Sequence, residues 1–328
     1  MTALDRLNAA FDSVSEAVAS QIPGATLGVV TAAGDRAVRV AGLAQREPDA
    51  VPLRRGMWFD LASLTKVLFT TPAILRLVEQ GRIALDDPLP VAVPDLRQYD
   101  KLGAAERRLT FRDCLSHQTH LPAVEPLYTY GQDPQTLRAF ILQREWRAGP
   151  PVYSDINFML LGIAIERLTG TPLLDQPLPD GFTWRPDPVE TAATERCTWR
   201  GRVMRGQVHD ENAYALGGAS GHAGLFGTVD AVLDSALALL RGSTPIVRDH
   251  QSPTRCLGWE ARHDGWPGGD ACSDETIGHT GFTGTGVWID FARGVAWSLL
   301  TNRVHPSRHV ETGIVALRRT VGDRVVSA

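Results

Sequence analysis

The chain reads as a mixed α/β protein of the α+β type, with one mostly antiparallel sheet flanked by helices and a mainly helical subdomain inserted in it. Three observations predict this. Apolar and β-branched runs occur near the start and again after about residue 255. Between them, from roughly 70 to 220, apolar residues fall at helical spacing or in long irregular stretches. Helical patterns also open and close the chain. Strands contributed by both ends are accommodated most economically in one sheet. The implied division is 1–70 plus 222–328 for the sheet part and 71–221 for the helical part, within one structural unit.

Each element follows from local pattern. Leu4, Leu7, Phe11, Val14 and Val18 recur at helical spacing, and Pro23-Gly24 ends the pattern. "ATLGVVTA" and "AVRVAG" form two strands joined through Ala33-Gly34-Asp35 as a hairpin. "DINFMLLGIAIERLTG" is the clearest inner helix, with Asp155 as its expected N-cap and Gly170 past its end. Residues 171–200, with five prolines, read as a long surface loop. "DAVLDSALALLRG" returns to helix. "RCLGWEAR", "TGVWID" and "GVAWSLLTN" are β-rich, the last two flanking Phe291-Ala292-Arg293 as a hairpin, and "HVETGIVALRRTVG" closes the chain as a helix.

Composition narrows the function. The 328 residues are 43% hydrophobic and 21% charged, with net charge −4 and no basic block, which argues against a nucleic-acid partner. No run approaches the roughly 20 apolar residues of a membrane span. The first residues lack an apolar core and carry Asp5, Arg6, Asp12 and Glu16, so the expected location is cytoplasmic. Cys114, Cys197, Cys256 and Cys272 are scattered without a C-x-x-C pair and are expected to be reduced thiols. No cofactor or metal is implied.

The chain holds 33 lysines plus arginines, and only Lys66 and Lys101 are lysines. Lys66 stands in "FDLASLTKVLFT", three residues after Ser63. At 100° per residue both fall on the apolar side of a helix, one turn apart. Arginine cannot shed its proton near neutrality, whereas a buried lysine can. Neutralising it at pH 7 needs a shift of about three units, or roughly 4 kcal/mol, which desolvation can supply. A neutral amine could then take the serine proton. The plain alternative is a capping serine and a snorkelling lysine.

Two later stretches bear on the choice: "PVYSDINF", with Tyr153, and "IGHTGFTGTGVWID", with His279-Thr280-Gly281 on a strand near the sheet's edge. The order S-x-x-K, Y-x-N, K-T-G or H-T-G resembles the serine β-lactamase and penicillin-binding protein superfamily. The class C β-lactamase-related serine hydrolases, which include esterases and D-amino-acid peptidases, are the most similar branch. The resemblance runs from about Trp58 to Arg303. It implies a β-lactamase/transpeptidase-like fold. It also implies a serine hydrolase that forms an acyl-serine intermediate on small ester or amide substrates, with β-lactamase or D-amino-acid peptidase activity as the alternative. Ser63 would be the nucleophile, Lys66 its base and Tyr153 the proton donor to the leaving group. The backbone N–H groups of Ser63 and Phe282 would hold the oxyanion. Asp155, His279, Thr280 and Gly281 would contact substrate. A silent sensor on the same fold is a competing reading.

Three departures qualify that assignment. Asp155 stands where relatives have Asn, and a carboxylate near Lys66 would favour the ammonium. Either Asp155 points away as a helix cap, which its position suggests, or Tyr153 is the working base beside a charged lysine. His279 replaces Lys and is mostly neutral at pH 7, which favours neutral esters or amides. In "LSHQTHLP", His120 sits where the family's "LSHTSGLP" has Gly, so any left-handed backbone there would be strained. Finally, "VHDENAYALGGASGHAGLFG" offers His209, Asp210, Glu211 and His222, but without metal-ligand spacing, and its glycines fit a close-packed loop beside the cleft better than a phosphate loop.

Overall fold

In the computed structural model, which describes residues 1–328, both chain ends build one sheet. Its strands are β1 (Gly24–Thr31), β2 (Arg36–Gln45), β3 (Val51–Pro52), β4 (Glu260–Ala261), β5 (Thr276–Thr280), β6 (Gly286–Asp290) and β7 (Val295–Thr301). Their order is β3-β2-β1-β7-β6-β5-β4, and every pairing is antiparallel. The junction between the two halves is β1 against β7, with Leu27 opposite Leu299 and Val29 opposite Trp297.

Alternation along β1 assigns its faces. Ala25, Leu27 and Val29 join Trp297 and Leu299 under the helices α1 (Ala3–Ser20) and, at the other end of the chain, Ile314–Ser327. Leu7, Phe11 and Val14 of α1 are buried there as the periodicity predicts, but Leu4 is exposed and Ala3 and Ala10 point inward instead. Thr2 caps α1 through a reciprocal capping box with Asp5. Val30, Val287 and Ile289 face the other way, into the larger core, where the helix Val229–Leu240 contributes Val232 and Leu233.

The inserted middle contains α2 (Thr71–Glu79), α3 (Asp155–Thr169) and several other helices. The helix α3 is buried all round, from Ile156 to Ile165, so it forms the axis of this part rather than a surface element. Gly170 ends it in the left-handed conformation. Residues 171–200 are irregular but do not form a surface loop, because Phe182, Trp184, Ala192, Ala193 and Glu195 are buried. The stretch "RCLGWEAR" contributes only the two residues of β4. The closing helix begins after Gly313 rather than at His309. No helix is long and apolar enough to cross a membrane.

Candidate active site

Ser63 lies on a single tight turn, Ala62–Leu64, and not on a regular α-helix. A wide π-type turn, Lys66–Thr70, follows, and α2 begins only at Thr71. Such turns interrupt helices frequently at functional sites. Ala62 has φ 48°, an uncommon value for a residue with a Cβ. Asp60 holds this turn: its Oδ1 accepts the Ala62 N–H (2.8 Å) and its Oδ2 the His209 N–H (2.6 Å). From the sheet side, Thr283 Oγ1 donates to the Asp60 carbonyl (2.7 Å) and Thr285 Oγ1 to that of Leu61 (3.1 Å). Gly281 makes this approach possible, because a Cβ there would lie 2.5 Å from the Leu61 carbonyl oxygen.

Lys66 is fully buried, and its Nζ meets three acceptors. It donates to Ser63 Oγ (3.0 Å) and to the His222 carbonyl (3.1 Å), and Asp155 Oδ1 lies 2.8 Å away. The first two contacts are hydrogen bonds and the third is an ion pair. The His222 carbonyl reaches Lys66 because Gly221 packs directly on α3, where a Cβ would come within 2.0 Å of the Phe158 carbonyl. The glycine-rich stretch is thus a close-packed loop bordering the cleft.

Burial alone would push the Lys66 ammonium down, but the Asp155 carboxylate and Tyr153 outweigh it and the net shift is upward. Burial pushes the Tyr153 phenol up, only partly offset by Lys66 and by hydrogen bonds to Lys66 and Ser63. Lys66 is therefore held as an ammonium and Tyr153 as a phenol. This corrects two expectations. Lys66 is not a neutral amine at rest. Asp155 is not a cap: Ser154 occupies the N-cap position and Asp155, the first residue of α3, turns its side chain to Lys66.

The Tyr153 ring lies tilted against those of His117 (centroids 4.5 Å apart) and His279 (5.9 Å). His117 Nδ1 accepts the Ser154 N–H (3.0 Å), and His279 Nδ1 donates to the Thr280 carbonyl (3.0 Å). Burial, reinforced by the charge of Lys66, drives both imidazoles well below their ordinary value, so both are neutral. His117, not His120, carries the left-handed backbone of its loop, with φ 56°.

Ser63, Tyr153, Asp155, His279, Thr280, Gly281 and Phe282 all line one cleft of about 830 Å³. The N–H groups of Ser63 and Phe282 make no hydrogen bond within the protein. The Phe282 ring stacks on His209 and is 50% exposed at the rim. His209 Nε2 lies 2.9 Å from Glu195, whose carboxyl is drawn down to about 2: burial opposes the shift, and His209 and Arg308 overcome it.

A family profile described as Beta-lactamase matches residues 8–320. The chain belongs to the Beta-lactamase family. Among curated relatives of this family member, an N-acetylmuramyl-L-alanine amidase of Bacillus subtilis (strain 168) is 32% identical over 88% of this chain and 79% of its own length. A putative D-alanyl-D-alanine carboxypeptidase of Salmonella agona (strain SL483) is 31% identical over 75% and 69%. Among solved structures, the class C β-lactamase from Rhodobacter sphaeroides superposes with TM-score 0.73 at 19% identity, covering 98% of this chain and 99% of that one. EstCE1, a hydrolase with promiscuous acyltransferase activity, gives 0.73 at 20% identity, covering 98% of both. The fold is accordingly β-lactamase/transpeptidase-like, and this Beta-lactamase family protein is a serine hydrolase.

Sequence reasoning weighed a carboxylate beside Lys66 but preferred the helix cap, and it missed the roles of His222, Asp60 and His117 in fixing the site. Only Asp155 left a signal, as a carboxylate where an amide was expected. A backbone carbonyl such as that of His222 leaves none.

Proposed function

We propose that this protein hydrolyses amide bonds of small acylated substrates through an acyl-serine intermediate, with Ser63 as nucleophile. The observation that carries the reading is the buried chain of contacts from Ser63 Oγ to Lys66 Nζ (3.0 Å) to Asp155 Oδ1 (2.8 Å) at the edge of the cleft. Because Lys66 rests as an ammonium, the serine proton needs another destination, and Asp155 supplies it. As one Nζ proton moves to Asp155, Nζ gains a lone pair and takes the proton of Ser63. Oγ then attacks the substrate carbonyl.

The resulting oxyanion rests on the free N–H groups of Ser63 and Phe282, donors of a kind worth about 10²–10³ in rate each. Collapse breaks the C–N bond. Tyr153 hands its proton to the departing nitrogen and is refilled from Asp155 through Lys66. Water then attacks the acyl-serine by the same route in reverse, releasing acid and restoring Ser63. The relative named for N-acetylmuramyl-L-alanine supports an amide of this kind as substrate. Four unpaired, buried cysteines support a cytoplasmic setting.

The test is active-site labelling followed by a substrate panel. A fluorophosphonate is expected to label wild type once, at Ser63, and Ser63→Ala not at all. N-acetylmuramyl-L-alanine is expected to be cleaved faster than p-nitrophenyl acetate or nitrocefin. Ligand binding without labelling would instead make the protein a sensor, and rapid nitrocefin turnover a β-lactamase.

A further inference from the structure

His209 belongs to none of the three ordered motifs, yet it touches both halves of the oxyanion site. The two donors read there, the N–H groups of Ser63 and Phe282, lie far apart in the chain. On the Ser63 side, the His209 backbone N–H donates to Asp60 Oδ2 (2.6 Å), and Asp60 Oδ1 accepts the N–H of Ala62, the residue before the nucleophile (2.8 Å). Asp60 is buried, so both bonds are shielded from water. On the Phe282 side, the His209 ring stacks on the Phe282 ring, with centroids 5.7 Å apart and planes 20° apart.

The imidazole is itself pinned. His209 is buried, and its Nε2 lies 2.9 Å from Glu195 Oε2. Glu195 is ionised and only accepts, so Nε2 carries a proton and donates it. Arg308 Nε donates to the same oxygen (2.6 Å). Phe282 needs such a support, because its ring stands half-exposed on the cleft rim. The Arg303 and Arg308 guanidinium carbons also approach this ring, at 4.7 and 5.7 Å, but of the three neighbours only His209 is buried. Arg318 Nη2 donates to the Gly281 carbonyl (2.9 Å). That carbonyl and the Phe282 N–H share one trans peptide and point opposite ways, so Arg318 turns the N–H away from itself. The His209 stack limits how far the same peptide can tilt.

Resting on the acyl-serine reading, we propose that His209 is a positioning residue for the oxyanion site. Its backbone N–H, through Asp60, sets the Ser63 side, and its ring, pinned by Glu195, sets the Phe282 side. A side-chain substitution reaches only the second, since every variant keeps the backbone N–H. What is lost is an interaction made in the transition state, so kcat falls while KM holds.

The experiment measures kcat and KM for p-nitrophenyl acetate, with kcat counted per Ser63 titrated to completion by a fluorophosphonate, and the infrared carbonyl stretch of the acetyl-serine intermediate. His209→Ala is expected to lose about 10–100-fold in kcat per titrated site, somewhat less than outright removal of a donor, with KM near that of wild type. Its acetyl carbonyl should absorb at higher wavenumber, because misaligned donors polarise it less. His209→Phe keeps a stacked ring and should regain most of the loss. A His209→Ala kcat per site equal to that of wild type, a loss without a shift in the carbonyl stretch, or no recovery in His209→Phe overturns the proposal. Should His209→Ala not fold, Phe282→Ala, made at the half-exposed ring, decides. It removes the same stack and should show the same loss and shift, and wild-type values there overturn the proposal. Absence of Ser63 labelling in wild type would overturn the acyl-serine reading instead.

Discussion

Replacing Asp155 by asparagine removes one negative charge from beside a fully buried lysine while keeping an amide oxygen in its place. At 2.8 Å and an effective dielectric constant of about 20, the charge–charge term is roughly 6 kcal/mol. That is an upper figure, because the Asp155 side chain is 17% exposed. Lys66, now held above its ordinary value, would fall towards neutrality in Asp155→Asn. It would then shed its proton rather than remain as an uncompensated buried charge, whose cost would be about 3–5 kcal/mol.

The signature is kinetic. A base works when deprotonated, so the rate rises with pH through its pKa. In wild type the proton's destination is the Asp155 side chain. In Asp155→Asn the amine itself becomes the base, and the acid limb of kcat/KM should move to higher pH than in wild type. On the acid side of that limb the variant should lose about 10-fold in rate for each pH unit. Asp155→Ala loses the charge and the acceptor together, and should lose about 10²-fold across the range. The assay is a pH profile of acyl transfer for the three proteins, with thermal denaturation to confirm folding. An acid limb in Asp155→Asn that coincides with wild type, with turnover undiminished, would refute the relay and return Asp155 to a purely structural place at the start of α3.

Further outcomes follow from other contacts. Burial, with the charge of Lys66, holds His117 and His279 neutral in the fold, whereas both titrate near 6.5 when unfolded. The unfolded chain then binds more protons below that pH, so stability is complete above about 6.5 and falls as pH drops, by at most about 1.4 kcal/mol per pH unit for each histidine. Urea midpoints that stay flat from pH 7.5 to 5.5 would contradict this. Gly281→Ala would drive a methyl group against the Leu61 carbonyl and Thr285 Oγ1, at about 1–3 kcal/mol of stability. It should slow labelling of Ser63 more than it lowers the melting temperature of a control such as Gly201→Ala, where a Cβ meets nothing, allowance made for the left-handed backbone of Gly201. Asp60→Asn would leave one of the two backbone donors of Ala62 and His209 facing an amide NH₂, at a cost of about 1–3 kcal/mol in chemical denaturation.

Much of this molecule was legible in its sequence, for identifiable reasons. The hairpin β1–β2 and the helix α1 are local in their making: alternation and 3.6-residue spacing encode them directly, and β2 pairs with the strand next to it in the chain. Ser63, Lys66 and Tyr153 were legible as an ordered set, and the structure gathers them around one cleft. Asp155 was misread because a capping rule sees only its neighbours in sequence, whereas its carboxylate is committed to a cation 89 residues away in the chain. The regular helix expected through Ser63 failed similarly: Thr65 Oγ1 bonds back to the Ala62 carbonyl and Thr70 Oγ1 to that of Gly221, and these contacts favour a widened turn that periodicity does not register. The irregular run 171–200 looked like a surface loop because prolines and polar residues mask the few apolar side chains that anchor it.

The junction of β1 with β7 has a consequence for synthesis. The nucleophile turn emerges from the ribosome more than two hundred residues before the strands that brace it, β5 to β7, and before Phe282, one of its two candidate oxyanion donors. A nascent or prematurely terminated chain therefore presents a serine and a lysine with no cleft around them. Hydrolysis waits until the segment from β5 to β7 has been made and has folded against the nucleophile turn.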